Sequence, residues 1–409
     1  MSEKAARCDV AIAGGGMVGL SLAAALAKLP LDVAVVEPVS PEADEQPSFD
    51  ARTTALSSGS RRVLEGIGAW PAVAARATPI RRIHVSERGV FGTATLTAAE
   101  QGLAALGFTI ENRLLGAALR ERVDSEPRVR LYHARVVAVE AGAESMRLRT
   151  DTGEALDARL LVAADGAQSA VRAALGIEAS VSDYAQHAVI AHVDTTRFHD
   201  YTAYERFTPD GPLAVLPIAE GRSAIVWTLA PDAARAALAL GDDAFLGRLQ
   251  DAFGLRLGRF TRVGRRQAYP LALTRAEVIT ALRAAVLGNA AQSLHPVAAQ
   301  GFNLALRDVA MLAELLADAA GDPGDPALLA RYAKWRAPDR EAVIRFTDSL
   351  VRGFALPLGP LRRVRGHGLA LFDLLRPVKH EFARRTMGLA GRQPRLVRGL
   401  PLVEAGERA

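Results

Sequence analysis

An α/β fold is what this sequence predicts, its parallel-sheet domain scattered along the chain and interrupted by an inserted antiparallel sheet. Three observations carry the prediction. A short apolar run, residues 9–13, ends in Gly14-Gly15-Gly16-Met17-Val18-Gly19 and opens a helix of small residues. Two further apolar runs, 159–163 and 284–287, end in glycine turns of their own far downstream. Between them lie short alternating segments joined by polar turns, the pattern of an antiparallel sheet.

In order along the chain, 9–13 is a buried strand, 17–29 a helix that packs closely on a sheet, and 32–37 a second buried strand, which together make a βαβ opening. Strands are expected at 80–86 and 93–96, a helix at 111–123, and strands at 128–140 and 146–150. The strand 159–163 leads into Ala164-Asp165-Gly166. Residues 189–193, 203–207, 213–217 and 223–229 form the antiparallel sheet, turning at Pro209-Asp210-Gly211 and Glu220-Gly221. A helix follows at 242–253, a last buried strand at 284–287, and helices at 303–319, 327–334 and 338–354, with a loop at 321–326. The parallel-sheet domain is therefore assigned 1–79, 101–180 and 268–350. The inserted sheet takes 80–100 and 181–267, and a basic, apolar helical segment takes 351–409.

With 409 residues, half of them apolar, the chain can bury two domains or one interdigitated unit. No uninterrupted apolar run reaches about 18 residues, so no spanning helix is expected. Residues 1–7 are short and polar, and neither a signal nor a transit peptide is expected, which suits a cytoplasmic protein. Cys8 is the sole cysteine, which excludes an internal disulfide and a cysteine-built metal site. The eight histidines lack H-E-x-x-H spacing, and no metal is required. Net charge is +5, and the excess falls late: eleven Lys or Arg residues from Arg352 to Arg398 face only Asp373 and Glu381. Apolar residues interleave with them. Such a segment suits the inner face of a membrane or a partner protein; a solvated helical tail packed on the body is the plainer alternative. No aromatic platform accompanies the charge, so nucleic acid is not expected.

The first turn has G-x-G-x-x-G spacing. Gly14 suits a tight turn, Gly16 lets backbone approach a pyrophosphate, and Gly19 permits close helix–strand packing. The helix start beyond attracts phosphate. Glu37 ends the second strand about 20 residues on, where an acid receives ribose hydroxyls. The reading is a Rossmann-like dinucleotide site rather than a structural turn. Asp165-Gly166 and Gly288-Asn289 each end a strand. Alone, each is an ordinary turn; beside a dinucleotide they can hold phosphate-bound water and a ribityl hydroxyl. The loop from His295-Pro296 to Gln300-Gly301-Phe302-Asn303 can lay backbone N–H groups against a flat, electron-rich ligand. NAD alone would not need that loop.

These motifs, with Asp165-Gly166-x-x-Ser169-x-x-Arg172, resemble the class A flavin monooxygenases. Within them the chain looks like the ubiquinone-biosynthesis hydroxylases. Phe49-Asp50-Ala51-Arg52-Thr53-Thr54-Ala55-Leu56-Ser57 is similar to that group's early signature. Ile83-His84-Val85-Ser86-Glu87-Arg88-Gly89, Leu103-Ala104-Ala105-Leu106-Gly107, Glu205-Arg206-Phe207-Thr208-Pro209-Asp210-Gly211-Pro212-Leu213 and Gln292 resemble the branch acting on 2-octaprenyl-6-methoxyphenol. The resemblance covers about residues 8 to 350.

It implies a p-hydroxybenzoate-hydroxylase-like fold and an FAD site. Glu37 would take the adenosine ribose, Arg52 and Asn112 would lie along the pyrophosphate and ribityl chain, and Asp165 with Gly166 would serve FAD and the nicotinamide. Gly288, Asn289, Gln300, Gly301 and Asn303 would pass by the flavin ring, and Pro296 would line the face where oxygen meets substrate. NAD(P)H would be the reductant, O₂ the co-substrate and a polyprenyl phenol the substrate, with other ubiquinone-biosynthesis proteins as partners. His295 is a candidate base for the phenol, or a histidine that fixes the loop. Ala299 and Ala305 stand where the family has glycine; at positive φ an alanine costs on the order of 1 kcal/mol, which predicts a less adaptable loop that keeps its FAD. The alternatives are a sister hydroxylase acting elsewhere on the ring, a halogenase, disfavoured by the missing W-x-W-x-I-P, and a flavoprotein scaffold that makes no product.

Overall fold

The computed structural model describes residues 5–39, 52–319, 321–355 and 359–403; residues 49–51 of the early signature and the side chains of Arg362 and Arg363 lie outside the description. The βαβ opening forms as expected, from the strand Ala6–Ala13, the helix Met17–Leu26 and the strand Val33–Val36. These strands are buried on both faces, which explains their continuous apolar runs. They lie in an eight-stranded sheet. Its parallel centre runs Ala284–Val286, Ala155–Ala163, Ala6–Ala13, Val33–Val36 and Val129–Tyr132. Three of its strands therefore end in the three glycine turns, at the same edge of the sheet.

The inserted sheet has nine strands. Its core is the meander Ala179–Thr195, Ser223–Leu229, Gly211–Pro217 and Thr202–Thr208, extended by Arg82–Glu87 and Thr93–Thr97. One of its strands is longer than expected, and three were not expected: Phe260–Val263, Gln267–Ala276 and Gln292–Ser293. Ala179–Thr195 is 17 residues long, not five, because its first half is a largely solvent-exposed ribbon rich in polar residues. Gln267–Ala276 contains Pro270, a residue that argues against a strand, and pairs antiparallel with Ala179–Thr195. That pairing corrects the domain boundaries: 179–180 and 268–276 belong to the inserted sheet. A small third sheet, Thr53–Ser57, Gly107–Glu111 and Thr78–Ile80, was also unforeseen.

The helix Gln300–Ala317 is buried along most of its length and packs against Met17–Leu26. The break expected before Pro338 is absent: Pro326–Ala355 is one helix of 30 residues. An internal proline costs a helix about 3 kcal/mol. Here both flanks of Pro338 are tied to the neighbouring helix, Arg336 to Asp308 at 2.5 Å and Asp339 to Arg307 at 2.8 Å. The C-terminal helices Gly359–Leu374, Arg376–Thr386 and Arg395–Arg398 pack back onto the body, burying Ala383, Met387, Leu396 and Val397. Part of their basic excess is paired: Arg365 with Glu87, Lys379 with Glu100, Arg395 with Asp318. Their outer side still exposes Val364, Leu371, Leu374, Leu375 and Val378. No described helix is long and apolar enough to cross a membrane.

Candidate active site: a dinucleotide cleft backed by an apolar chamber

At the end of the first strand Gly14 has φ +105°, and a Cβ there would stand 2.5 Å from the Ala164 carbonyl oxygen. Only glycine fits a turn so strained and so close to its neighbour. Gly16 caps the helix Met17–Leu26, and Gly19 lies where a Cβ would collide with the Gly14 carbonyl oxygen. Glu37 Oε2 accepts the Gly15 N–H at 2.6 Å, and Oε1 accepts the Val39 N–H at 3.0 Å. The acid is thus held at the mouth of the first turn.

Gly14, Gly16 and Glu37 border a cleft of about 510 Å³, also lined by Arg52, Asn112, Asp165, Gly166 and Asn289. Arg52 lies over the Tyr269 ring, 4.8 Å from its centroid. Asn112 Oδ1 accepts the Thr54 hydroxyl at 2.6 Å. The Asp165 carboxylate accepts from the Ser169 hydroxyl and, at 3.1 Å, from the Val171 N–H, so both oxygens also stabilise the turn they sit on. Arg172 closes the motif that begins at Asp165. Its buried guanidinium donates to the carbonyls of Ala167 at 3.2 Å and Ala290 at 2.7 Å, which locks the second glycine turn onto the third, Gly288–Ala290.

Behind the cleft the chain enters Gln300–Ala317 through two left-handed alanines, Ala298 at φ 58° and Ala299 at φ 50°. Ala299 therefore meets the strained condition set out above. Ala305 does not, because it lies inside the helix. The Asn303 side chain is engaged by its own protein. Its oxygen accepts the Ser57 N–H at 2.8 Å, and its nitrogen donates to the carbonyls of Ala55 at 2.9 Å and Ala299 at 2.6 Å. These bonds fix the turn. The Gln300 nitrogen donates to the Ala298 carbonyl at 2.9 Å and the Thr386 carbonyl at 3.3 Å, tying the turn to a C-terminal helix. Around Gly301 nothing approaches within 4 Å of an added Cβ, leaving this helix start open.

His295 and Pro296 line neither the cleft nor the chamber described next. His295 is buried, its Nδ1 accepts the Val297 N–H at 3.1 Å, and burial pushes its pKa down to about 4. Its Nδ1 thus helps fix the loop, while Nε2 is buried without a hydrogen-bond partner among the described residues. Gln292 helps from the other side: Arg340 donates to its oxygen at 2.8 Å, and its nitrogen donates to Asp308 at 2.9 Å.

The second cavity, about 280 Å³, is almost wholly apolar. Its floor is the inserted sheet, with Ile83, Val85, Ala94, Leu96 and Phe207. Its roof is Val297 to Gln300, and Leu369, Phe372, Phe382 and Met387 of the C-terminal helices close one side. The start of Gln300–Ala317 stands between the two cavities: Ala298, Ala299 and Asn303 face the chamber, Phe302 and Ala305 the cleft. The only ionisable group among the described lining residues is Glu205, and burial pushes its pKa up to about 7. A third, larger cavity of about 800 Å³ lies beyond Gln300, between the last helices, and shares none of the other expected site residues.

The donor set fits FAD: a glycine cradle at a helix start for the pyrophosphate, an acid for the ribose, amides at Asn112 and Asn289, and an open helix start for the ring. The FAD binding domain family matches residues 7–347. The ubiquinone hydroxylase UbiL of Rhodospirillum rubrum is 39% identical over 96% of this chain and 93% of its own length. The 3-demethoxyubiquinol 3-hydroxylase of Escherichia coli is 33% identical over 93% and 98%. The fold matches the crystal structure of p-nitrophenol 4-monooxygenase PnpA from Pseudomonas putida with a TM-score of 0.79, covering 95% of this chain and all of that one at 19% identity. The chain belongs to the FAD-dependent monooxygenase family that contains the ubiquinone-biosynthesis hydroxylases.

Proposed function

We propose that this protein hydroxylates the ring of a polyprenylated phenol on the way to ubiquinone, with 2-polyprenyl-6-methoxyphenol as substrate, NAD(P)H as reductant and O₂ as oxygen donor. The observation that carries the reading is the apolar chamber set against the dinucleotide cleft, with only the start of Gln300–Ala317 between them. When bound, FAD supplies electron transfer from the nicotinamide and delivery of one oxygen atom to the ring. The protein binds, orients and excludes water. Its helix start would stabilise negative charge on a bound flavin ring, and Asn303 ties that start to Ser57 and Ala55. The chamber takes a substituted ring but not a long prenyl chain. The tail therefore leaves past Leu369, Phe372 and Phe382, the side from which Leu371, Leu374 and Val378 project. Those exposed residues support peripheral docking on the inner face of the membrane, where a polyprenyl phenol dissolves, and access for other ubiquinone-biosynthesis proteins.

The test is product formation from 2-prenyl-6-methoxyphenols of increasing tail length. Each buried CH₂ contributes about 0.8 kcal/mol, so the first added isoprene unit should lower KM roughly tenfold or more. A KM indifferent to the tail would overturn the reading. NAD(P)H consumption without product at any length would favour a scaffold. The 33% identity to a 3-demethoxyubiquinol 3-hydroxylase favours one second reading, a sister enzyme acting at another ring position, and product analysis separates the two.

A further inference from the structure

On the strand Thr202–Thr208 side chains alternate between two faces. Phe207 and Glu205 share the face that lines the chamber. Across the ladder Glu205 sits between Val85 on one neighbour and Ala214 on the other, and Val85 in turn faces Ala94. A carboxyl group stands alone in an apolar row. Its Oε1 is buried and has no hydrogen-bond partner among the described residues. The next acid along that edge, Glu87, is joined to Arg365 at 2.8 Å, and Arg365 also lies over Phe354 at the chamber wall. Ser57, Gln300, Asn303 and Thr386 are the polar neighbours in the lining. The amide nitrogens of Gln300 and Asn303 donate to backbone carbonyls, the Gln300 oxygen is an acceptor without a partner among the described residues, and no cation among the described lining residues balances the acid.

Leaving a buried polar group unpaired costs about 1–3 kcal/mol, and no partner among the described residues offsets that cost here. A leucine would pack the floor better. The unsatisfied oxygen has a natural partner in the hydroxyl, the one hydrogen-bond donor that an otherwise largely apolar methoxyphenol brings into this chamber. Resting on the reading that the phenol ring binds here, we propose that Glu205 is a catalytic residue: it holds the phenolic hydroxyl and takes its proton as the ring is hydroxylated. The O–H bond of the phenol breaks, its proton moves to a Glu205 oxygen, and the electron pair stays on the phenol oxygen, where it enriches the ortho and para carbons. One atom of O₂ ends on the ring and the other in water, with two electrons from the nicotinamide. When the ring carbon loses its hydrogen as a proton to solvent, Glu205 returns its own proton to the phenol oxygen. Burial places its pKa at about 7, where it can both take and return that proton near neutral pH.

The test combines turnover with binding to the FAD-loaded protein of a coloured, unreacted probe, 2-allyl-4-nitrophenol, in wild type and in the isosteric Glu205→Gln. The acid and the probe share one proton in the wild type, because two adjacent anions in an apolar chamber repel. The probe's phenol-to-phenolate transition on the protein should therefore fall by at least one pH unit in Glu205→Gln. Hydroxylation should drop on the order of 10²-fold and lose the acid limb of its pH profile, while FAD stays bound. Glu205→Asp, which keeps the acid one methylene back, should recover part of the rate and of the titration. A probe that titrates alike in wild type and both variants, or hydroxylation that persists in Glu205→Gln, overturns the assignment. A probe that does not bind the wild type at all, or binds without competing with substrate, overturns instead the placement of the phenol in this chamber.

Discussion

Ala298 and Ala299 hold consecutive left-handed conformations where the chain turns into Gln300–Ala317. An L-residue with a Cβ costs roughly 1–2 kcal/mol there. Glycine removes that strain and gives back about 0.5–1 kcal/mol through a freer unfolded chain. The net gain is about 0.5–1 kcal/mol for each of Ala298→Gly and Ala299→Gly, and about 1–2 for the pair. Unfolding entropy near 2.1 cal/mol/K per residue, over 409 residues, amounts to about 0.9 kcal/mol/K. The double variant should therefore melt about 1–2 °C higher by scanning calorimetry, with FAD affinity little changed, because neither methyl borders the cleft. Ala299→Val, β-branched in the same conformation, should move Tm the other way by a larger amount. If the double glycine variant melts lower than wild type, the methyl groups contribute packing that outweighs the strain, and the argument fails.

Three other expectations follow from the same geometry. Glu37→Ala removes a charged acceptor for the Gly15 N–H and for a ribose, so FAD titrated into apoprotein should bind roughly 10- to 100-fold more weakly by flavin fluorescence quenching. Glu205 keeps its proton up to about pH 7 in the folded state, whereas the unfolded chain releases it above 4.5. Wild type should thus lose stability as pH rises from 4.5 to 7 and level off above, and chemical denaturation should find Glu205→Gln more stable at pH 8 by roughly 1–3 kcal/mol after screening by water in the chamber, yet equal at pH 4. Asp339 behaves oppositely: burial alone would raise its pKa, but Arg307 and Arg336 hold it down to about 2. Its stabilisation is complete above 3.8 and disappears as pH falls through 2, and Asp339→Asn should flatten that part of the Tm profile.

The nucleotide cleft was legible because its constraints are local. A strand, a turn needing φ +105° and an acid at the next strand end are separated by few residues and few chemistries, so Gly14, Gly16 and Glu37 could be named from spacing. An apolar pocket on the inserted sheet was implied by the resemblance to enzymes of a polyprenyl phenol, but its walls were not legible, because they are built from long-range contacts: the C-terminal helices that close it read as a basic, apolar tail. Glu205 stood in a quoted motif without a role. The signal was present, an acid at the same face as Ala203 and Phe207 in an alternating strand, but its meaning depends on Val85 and Ala214 beside it. His295 shows the converse. A histidine in a functional loop suggests proton transfer, and only the structure shows that one ring nitrogen accepts the Val297 N–H and that the ring borders neither the cleft nor the chamber. Strand Gln267–Ala276 was lost to Pro270, which the sheet tolerates beside His187.

The central claim is that FAD in the cleft and a phenol in the chamber exchange an oxygen atom across the start of Gln300–Ala317. The direct measurement is single-turnover mass spectrometry of reconstituted protein with ¹⁸O₂, NAD(P)H and a short-tailed 2-prenyl-6-methoxyphenol. The account predicts product carrying one ¹⁸O atom on the ring, lost when Leu96→Trp fills the chamber while FAD remains bound. Unlabelled phenol with all reducing equivalents recovered as hydrogen peroxide, or labelled product undiminished in the filled chamber, would contradict it.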